Sequence, residues 1–314
     1  MIAVVSTSGG KDSTATLLCA IEQLDKSQIF PAFADTGNEH PMTYEYVKYL
    51  GSRLGLEIKT VRADFSTWWW ERRDYVRDKW PLPSPKKGWP AGVPADIIAR
   101  VLKVFEKGPT GNPFLDLCII KGRFPSRKAQ FCTDELKKQP LNKYINELVI
   151  EHKVVESWQG VRADESANRA KLPERERDGE LFEIYRPILR WNVAKVFEMH
   201  RKHDVEPNPL YKLGMSRVGC MPCINVAKDE LFAISQRFPE HIDRIAEWEA
   251  VVSDASKRGL STFIPSPEDR GDGKVHSIHD RVTWSKTARG GVNLDLFKAM
   301  DEPKSCASRY GLCE

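Results

Sequence analysis

Residues 1–13, Met1-Ile-Ala-Val-Val-Ser6-Thr-Ser8-Gly9-Gly10-Lys11-Asp12-Ser13, decide how the rest of the chain is read. An apolar run breaks into a double-glycine turn and then into a segment that can continue as a helix. Ile2 to Val5 have the β-branched bias of a buried parallel strand, and Thr14 to Leu24 carries apolar residues at helical spacing. Gly9 and Gly10 let backbone amides converge on an anion with no Cβ in the way, and the helix behind them adds its free N–H groups and positive dipole end. Lys11 and Ser13 supply a cation and a hydroxyl at the same turn, Ser6 and Ser8 are candidate phosphate-binding hydroxyls, and Asp12 caps the helix or orients a magnesium ion. The spacing fits neither Gly-x-x-x-x-Gly-Lys-Ser/Thr nor Gly-x-Gly-x-x-Gly. The competing reading is an ordinary strand-to-helix turn.

Ser8 to Ser13 resembles the PP-loop of ATP pyrophosphatases, Ser-Gly-Gly-Lys-Asp-Ser, at all six positions. The resemblance implies a doubly wound, mainly parallel α/β sheet of the adenine nucleotide alpha hydrolase type. It also implies a loop that grips the pyrophosphate of ATP, with magnesium, while the α-phosphorus is attacked.

Ile29 to Ala34 is a second short apolar strand, ending in Asp35-Thr36-Gly37-Asn38-Glu39 and followed by the helix-like Pro41 to Leu54. In an open parallel sheet ligands sit at the carboxyl ends of strands, so Asp35, Thr36 and Glu39 are expected beside the glycine turn. The segment resembles one in the sulfonucleotide reductase branch of the same superfamily, with the usual acid replaced before Thr43. Residue types alone also allow a plain turn.

A chain of 314 residues with 41% hydrophobic content can bury a sizeable core, and a formal charge of +4 leaves no polybasic tail in command. No apolar run is long enough to span a bilayer, and the first residues already read as strand and loop, so a cytoplasmic protein is expected. Seven cysteines then point to metal or thiol chemistry more than to a disulfide framework. The expected organisation is a nucleotide-binding domain over residues 1–225, with an aromatic and basic insertion at about 66–118, then a helical region with a cysteine-bearing tail over 226–314. Whether the chain forms a homo-oligomer is left open.

Within the insertion, Trp68-Trp69-Trp70-Glu-Arg72-Arg73, Trp80 and Lys86-Lys87-Gly88-Trp89 interleave aromatics with cations. A surface that stacks nucleic-acid bases and holds phosphates uses that composition, and so does an insertion packing its own small core under arginine stems. Ala95 to Lys107 reads as a helix.

From Ile119 the cations Lys121, Arg123, Arg127 and Lys128 precede Cys132, which opens a helix; an anionic substrate and a depressed thiol pKa suit the same place. Cys132-Thr133-x-x-x-Lys137-x-x-Pro140-Leu141 resembles the Cys-Cys-x-x-x-Lys-x-x-Pro-Leu segment of sulfonucleotide (PAPS/APS) reductases, in which both cysteines ligate an iron–sulfur cluster in some members. Thr133 stands at the second of them, so the usual four ligands cannot all be present. Further on, Gly160-x-Arg162-x-x-Glu165-Ser166-x-x-Arg169 matches the same family at its fixed positions, and its guanidinium groups are candidate clamps on phosphate or sulfate. Taken alone, such arginines beside acids are often surface pairs.

Pro187-Ile188-x-x-Trp191 and Asn208-Pro-Leu-Tyr211 resemble the family's link to its next cysteines, here Arg217-Val-Gly219-Cys220-Met-Pro-Cys223. Cys-x-x-Cys brings two thiolates to one centre; a redox dithiol and two buried cysteines are the rival readings. Lys228 to Arg258 reads as amphipathic helices. Cys306 and Cys313 lie in a tail without apolar periodicity, where metal ligation would give order. Cys132, Cys220, Cys223 and Cys313, with Cys306 as alternative fourth ligand, are therefore the candidate set for a 4Fe-4S cluster, which the resemblance favours, or for zinc. Cys19 and Cys118 read as core.

Together these features imply an ATP pyrophosphatase that adenylates an acceptor for sulfur transfer, as in DNA phosphorothioation or tRNA thiolation, with a cysteine desulfurase or another sulfur donor as partner. In that reading Lys11, Asp12 and Ser13 are catalytic, and Ser6, Ser8, Gly9, Gly10, Asp35, Thr36, Gly160 and Arg162 bind the nucleotide. Lys121, Arg123, Arg127, Lys128, Glu165, Ser166 and Arg169 bind the acceptor. The alternatives are a thiol-dependent reductase forming sulfite from PAPS or APS, and a nucleic-acid-binding subunit that senses nucleotide without turnover.

Overall fold

In the first strand, Ala3 and Val5 belong to one apolar cluster and Ile2 and Val4 to another, so the strand is buried on both faces. This pattern belongs to a parallel sheet covered on both sides by helices. The structure, a computed structural model, describes residues 1–152, 154–178, 182–264, 277–287, 308, 310 and 312. In chain order the elements begin β1 Ile2–Ser6, α1 Lys11–Gln23, β2 Ile29–Asp35, α2 Pro41–Leu54, β3 Lys59–Arg62, α3 Ser66–Lys79, α4 Ala95–Phe105 and α5 Pro113–Lys121. They continue with the short α6 Phe131–Thr133, a π-helical turn Asp134–Lys138, α7 Gln139–Glu151, β4 Val155–Trp158, α8 Ala167–Ala170, β5 Arg175–Asp178 and β6 Phe182–Tyr185. The helices α9 Val193–Lys202, α10 Lys228–Arg237, α11 Pro239–Ala255 and α12 Ile278–Ser285 follow.

These elements fall into two compact units, each discontinuous in sequence. The first comprises residues 1–63, 134–221 and 304–314, and the second 64–133 and 222–303.

The first unit is the α/β part. Its strands lie in the order β3-β2-β1-β4-β6-β5, with all neighbours parallel except the antiparallel edge pair β5 and β6. Helices α1, α2 and α9 pack the cluster of Ala3, Val5, Leu17, Leu18, Leu50 and Val196 onto one face. On the other face α7 contributes Ile145 and Leu148, which meet Ile2, Val4 and Ile184. Strand order reverses at β1, with β2 on one side and β4 on the other. The loops after β1 and β4 therefore flank the crevice where such sheets bind ligands.

The second unit is helical. Phe114 stacks on Trp248 with ring centroids 5.7 Å apart, and Phe263 meets both Phe114 and Phe124. The buried Glu249 fastens a loop to a helix start, accepting from Phe263 N at 2.7 Å and Ile278 N at 2.9 Å. Burial raises the Glu249 pKa, and the two amides work against the rise. Among the described residues no helix is long and apolar enough to cross a membrane.

Candidate functional site

The turn between β1 and α1 is built from both sides. Gly9 has φ +74, a conformation that strains any residue with a side chain, and a Cβ there would stand 3.1 Å from Thr43 Cγ2. Asn208 Nδ2 donates to Gly9 O at 3.2 Å, and Lys11 N donates to Tyr211 Oη at 2.9 Å. Ser13 Oγ donates to Gly10 O at 3.0 Å and accepts from Ser8 N at 3.1 Å, closing the turn on itself. Ser8 Oγ also lies 3.1 Å from Ser13 Oγ, at the exposed mouth. Among the described residues the amides of Gly9, Gly10, Asp12 and Ser13 have no hydrogen-bond acceptor. Four donors at the start of a helix form an anion cradle.

Charge is concentrated at the same turn. Lys11 Nζ contacts Asp12 Oδ2 at 3.0 Å, and Arg162 Nε contacts Asp12 Oδ1 at 2.5 Å, with both cationic side chains buried. Arg162 also pairs through Nη1 with both oxygens of Asp164, each at 2.7 Å. Burial works against the Arg162 charge, and Asp12 followed by the other carboxylates outweighs it, leaving the pKa raised. Gly160, in the loop after β4, makes this possible by close approach, because a Cβ there would sit 2.9 Å from backbone atoms of Asp12 and Ser13. Gly160 and Arg162 thus meet the first turn of α1, and the guanidinium engages protein carboxylates. Glu165, Ser166 and Arg169 lie at the exposed end of the same loop. Arg169 pairs with Glu165, and Ser166 Oγ caps α8 by accepting from Arg169 N at 3.2 Å.

The turn after β2 closes on its own side chains. Glu39, buried, takes Thr36 Oγ1 at 2.6 Å and Thr36 N at 3.1 Å, while Asp35 Oδ1 takes Gly37 N at 2.9 Å and Tyr44 Oη at 2.7 Å. Cys220 is latched to this turn. Its Sγ–H donates to Glu39 Oε1 at 3.6 Å and lies 3.4 Å from Thr36 Oγ1, and Met221 N donates to Asn38 O at 2.7 Å. Two residues earlier, Val218 O comes within 3.6 Å of where a Gly10 Cβ would be. The structure therefore brings the glycine turn, the Asp35–Glu39 turn, Arg162 and Cys220 together at the carboxyl rim of the sheet.

Four residues join this site that the sequence reading left without a role in it. Tyr211 is fully buried with its hydroxyl on the Lys11 amide, and burial raises its pKa far above the usual phenol value. Asn208 holds Gly9 O, and His200 Nε2 lies 3.0 Å from Lys11 O, where burial lowers its pKa. Tyr310 donates to Ser216 O at 2.6 Å, and its ring stands 5.3 Å from the Lys11 ammonium, beside that of Tyr211 at 5.5 Å. The Asn208-Pro-Leu-Tyr211 motif was the available signal for two of them; nothing local marks His200 or Tyr310.

The second unit holds the remaining candidates. Lys121 ends α5, Arg123 follows it, and the exposed Arg127 and Lys128 are the central residues of a tight turn closed by Ser126 N to Ala129 O at 3.1 Å and its reverse at 3.0 Å. Cys132 is half-buried in α6, and Cys223 Sγ accepts Asn225 N at 3.5 Å. Cys19 and Cys118 are buried as expected, and burial raises both thiol pKa values, that of Cys19 to about 12. Cys306 and Cys313 lie outside the described residues.

Comparison with known proteins bears on the same residues. A phosphoadenosine phosphosulfate reductase domain matches residues 2–80 and 119–226, passing over the greater part of the expected insertion. The 37.8 kDa protein in the gpa 5' region of Escherichia phage 186 is 44% identical over all of this chain and 97% of its own length. A phosphoadenosine 5'-phosphosulfate reductase of Buchnera aphidicola subsp. Acyrthosiphon pisum (strain Tuc7) is 28% identical, over 69% of this chain and 68% of its own. Among solved structures, a phosphoadenylyl-sulfate (PAPS) reductase from Candida auris in complex with phosphate aligns with TM-score 0.43 and 15% identity, covering 71% of this chain and 83% of that one. With the domain match spanning more than half of the residues and the glycine turn, the Gly160–Arg162 loop and Cys220 all inside it, the chain belongs to the phosphoadenosine phosphosulfate reductase domain family and has its adenine nucleotide alpha hydrolase-like fold.

Proposed function

We propose that this chain is an ATP pyrophosphatase that activates an acceptor oxygen for sulfur transfer, with nucleic acid as the acceptor and a cysteine desulfurase or another sulfur donor as partner. The supporting observation is the cradle of amides at Gly9, Gly10, Asp12 and Ser13 with Lys11 and the Ser8 hydroxyl at its edge. In this reading the acceptor oxygen attacks the α-phosphorus, the bond from that phosphorus to the bridging oxygen breaks, and the pyrophosphate leaves into the cradle. Fixed donors aimed at the leaving group need no reorganisation as charge builds there, the type of contribution that lowers such barriers most. Lys11 and Ser13 contact the leaving phosphates, and Asp12 holds Lys11 in place.

Magnesium would screen the phosphates. Of the two carboxylates expected to serve it, Asp12 has a cation on each oxygen, while Asp35 Oδ2 meets Arg62 only at 3.6 Å, beyond hydrogen-bond length. Asp35 is therefore the better fitted. Of the cysteines expected to hold a thiolate-ligated cluster or zinc, Cys220 belongs to the first unit and Cys132 and Cys223 to the second. The N–H bond from Asn225 to Cys223 suits a thiolate, whereas the Cys220 bond to Glu39 suits a thiol. Iron, zinc and acid-labile sulfide content of protein purified without oxygen decides between these.

A second reading is favoured by the family match together with Cys220 beside the glycine turn. A thiolate would attack the sulfonate sulfur of PAPS or APS, breaking that sulfur's bond to the phosphate oxygen and releasing the adenosine phosphate, and a second thiol would then attack the cysteine sulfur, forming a disulfide and displacing sulfite. Calorimetric titration of ATP and PAPS into wild-type protein and Lys11→Ala separates the readings. ATP binding with magnesium, lost in the variant, is expected; tight PAPS binding with none for ATP would favour the reductase.

A further inference from the structure

Helix α3 carries three consecutive tryptophans, Trp68 to Trp70, after Ser66 and Thr67, and the helical turn sends their side chains in different directions. Trp69 is 1% exposed, its indole N–H donates to Phe105 O at 3.0 Å, and its ring lies edge-on to Phe105 at 5.0 Å. Trp80 is buried as well. Trp68 and Trp70, by contrast, are 40% and 39% exposed, so packing accounts for Trp69 and Trp80 and leaves the other two at the surface. Each exposed ring carries a cation. Lys121 Nζ stands 5.4 Å from the Trp68 centroid, and the Arg73 guanidinium 4.7 Å from that of Trp70. The same lysine and Arg123 also lie over Phe131, at 5.9 and 5.7 Å.

On the side of Trp68 that meets the end of α5, the charge along the chain has one sign. From Leu117 to Thr133 the chain has four cations, Lys121, Arg123, Arg127 and Lys128, and no acid, and all four are exposed. Of the acids on α3, Asp74 is engaged by Arg73 at 2.8 Å and Arg77 at 3.1 Å and Asp78 by Arg77 at 2.7 Å, while Glu71 stands exposed after Trp70.

We propose that the exposed Trp68 and Trp70, on the two flanks of α3 either side of the buried Trp69, together with Lys121 at the end of α5 and the cations after it, form a stacking platform for single-stranded nucleic acid. It rests on the reading of Lys121, Arg123, Arg127 and Lys128 as the acceptor side, and it names the acceptor's form. Flat aromatic faces flanked by phosphate-seeking cations take up unpaired bases, whose π-faces a duplex keeps stacked internally. A protein partner would instead be expected to meet a patch whose centre is depleted of charge.

The test is fluorescence anisotropy of a labelled oligo(dT) of about 20 nucleotides with the full chain over a range of salt concentrations, since each neutralised phosphate contributes a measurable slope. Replacing both Trp68→Ala and Trp70→Ala should weaken binding about 30-fold or more, because each stacked base contributes roughly 1–3 kcal/mol. Replacing both Lys121→Ala and Arg123→Ala should reduce the slope of log affinity against log salt by about 1.4, from about 0.7 for each phosphate contact on a single strand. Tryptophan fluorescence of the unaltered protein should be quenched by the same oligonucleotide, a readout independent of whether the variants fold. Wild-type affinity in the tryptophan variant, equal affinity for a duplex of the same length, or no quenching would each overturn the proposal. Lys11→Ala is expected to bind the oligonucleotide as wild type does. In the wild-type protein, absence of ATP binding with oligonucleotide affinity present therefore sinks only the pyrophosphatase reading, and ATP binding without oligonucleotide affinity sinks only the platform.

Discussion

Gly160→Ala tests whether the loop after β4 really sets the first turn of α1. The added methyl would stand 2.9 Å from the carbonyl carbon and oxygen of Asp12 and from Ser13 Cα. All three atoms are backbone, so no rotamer change can relieve the overlap. Either the loop withdraws, pulling Arg162 from Asp12, or the start of α1 shifts and the cradle opens. Overpacking of this kind costs about 1–3 kcal/mol. At roughly 2–4 °C per kcal/mol for a domain of this size, the melting temperature should fall by roughly 2–12 °C. Differential scanning calorimetry with and without ATP and magnesium reads both consequences, and the stabilisation by nucleotide should shrink together with the melting temperature. A variant that melts like wild type and keeps the full nucleotide-induced shift would show that the close approach does not matter.

Gly10→Ala should separate function from stability: its backbone is extended, a Cβ meets nothing nearer than 3.5 Å, and yet that methyl would sit among Ser8 Oγ, Tyr211 Oη and Val218 O, so ATP affinity falls by titration while the melting temperature holds. Arg162→Leu leaves the Asp12 carboxylate with Lys11 alone in a mostly buried site and should cost about 3–5 kcal/mol by urea denaturation, with Asp12→Asn added to it recovering part of the loss. His200 is held below the ordinary histidine pKa by burial, against the opposing effect of its bond to Lys11 O. Its contribution is therefore intact above about pH 6.5 and is lost as pH falls from there towards the lower folded value, while the unfolded chain takes up the proton. Melting temperatures measured from about pH 7.5 to 5.5 should fall less steeply in His200→Gln than in wild type, and identical slopes would count against this origin.

How far the sequence discloses the site depends on how local each feature is. The glycine turn, β2 and the whole of α2 from Pro41 to Leu54 are legible because strand, turn and helix signals follow one another without interruption. Strand β5 is not: Arg175–Asp178 is a charged edge strand, without an apolar residue of its own, that pairs antiparallel with β6. The tryptophans could not be sorted by composition, since helix geometry and the position of Phe105 decide that Trp69 packs while Trp68 and Trp70 do not. Arg162 reads in sequence as a substrate clamp. The structure places its Nε and Nη1 on Asp12 and Asp164, a pairing set by an approach between residues 150 positions apart. Tyr211, Tyr310 and His200 surround Lys11 for the same long-range reason.

The most direct measurement incubates the protein with ATP, magnesium and single-stranded nucleic acid and identifies the products. AMP and pyrophosphate in equal amounts, abolished by Lys11→Ala, are what the account predicts. Intact ATP, alongside sulfite released from PAPS in the presence of thiols, would contradict it.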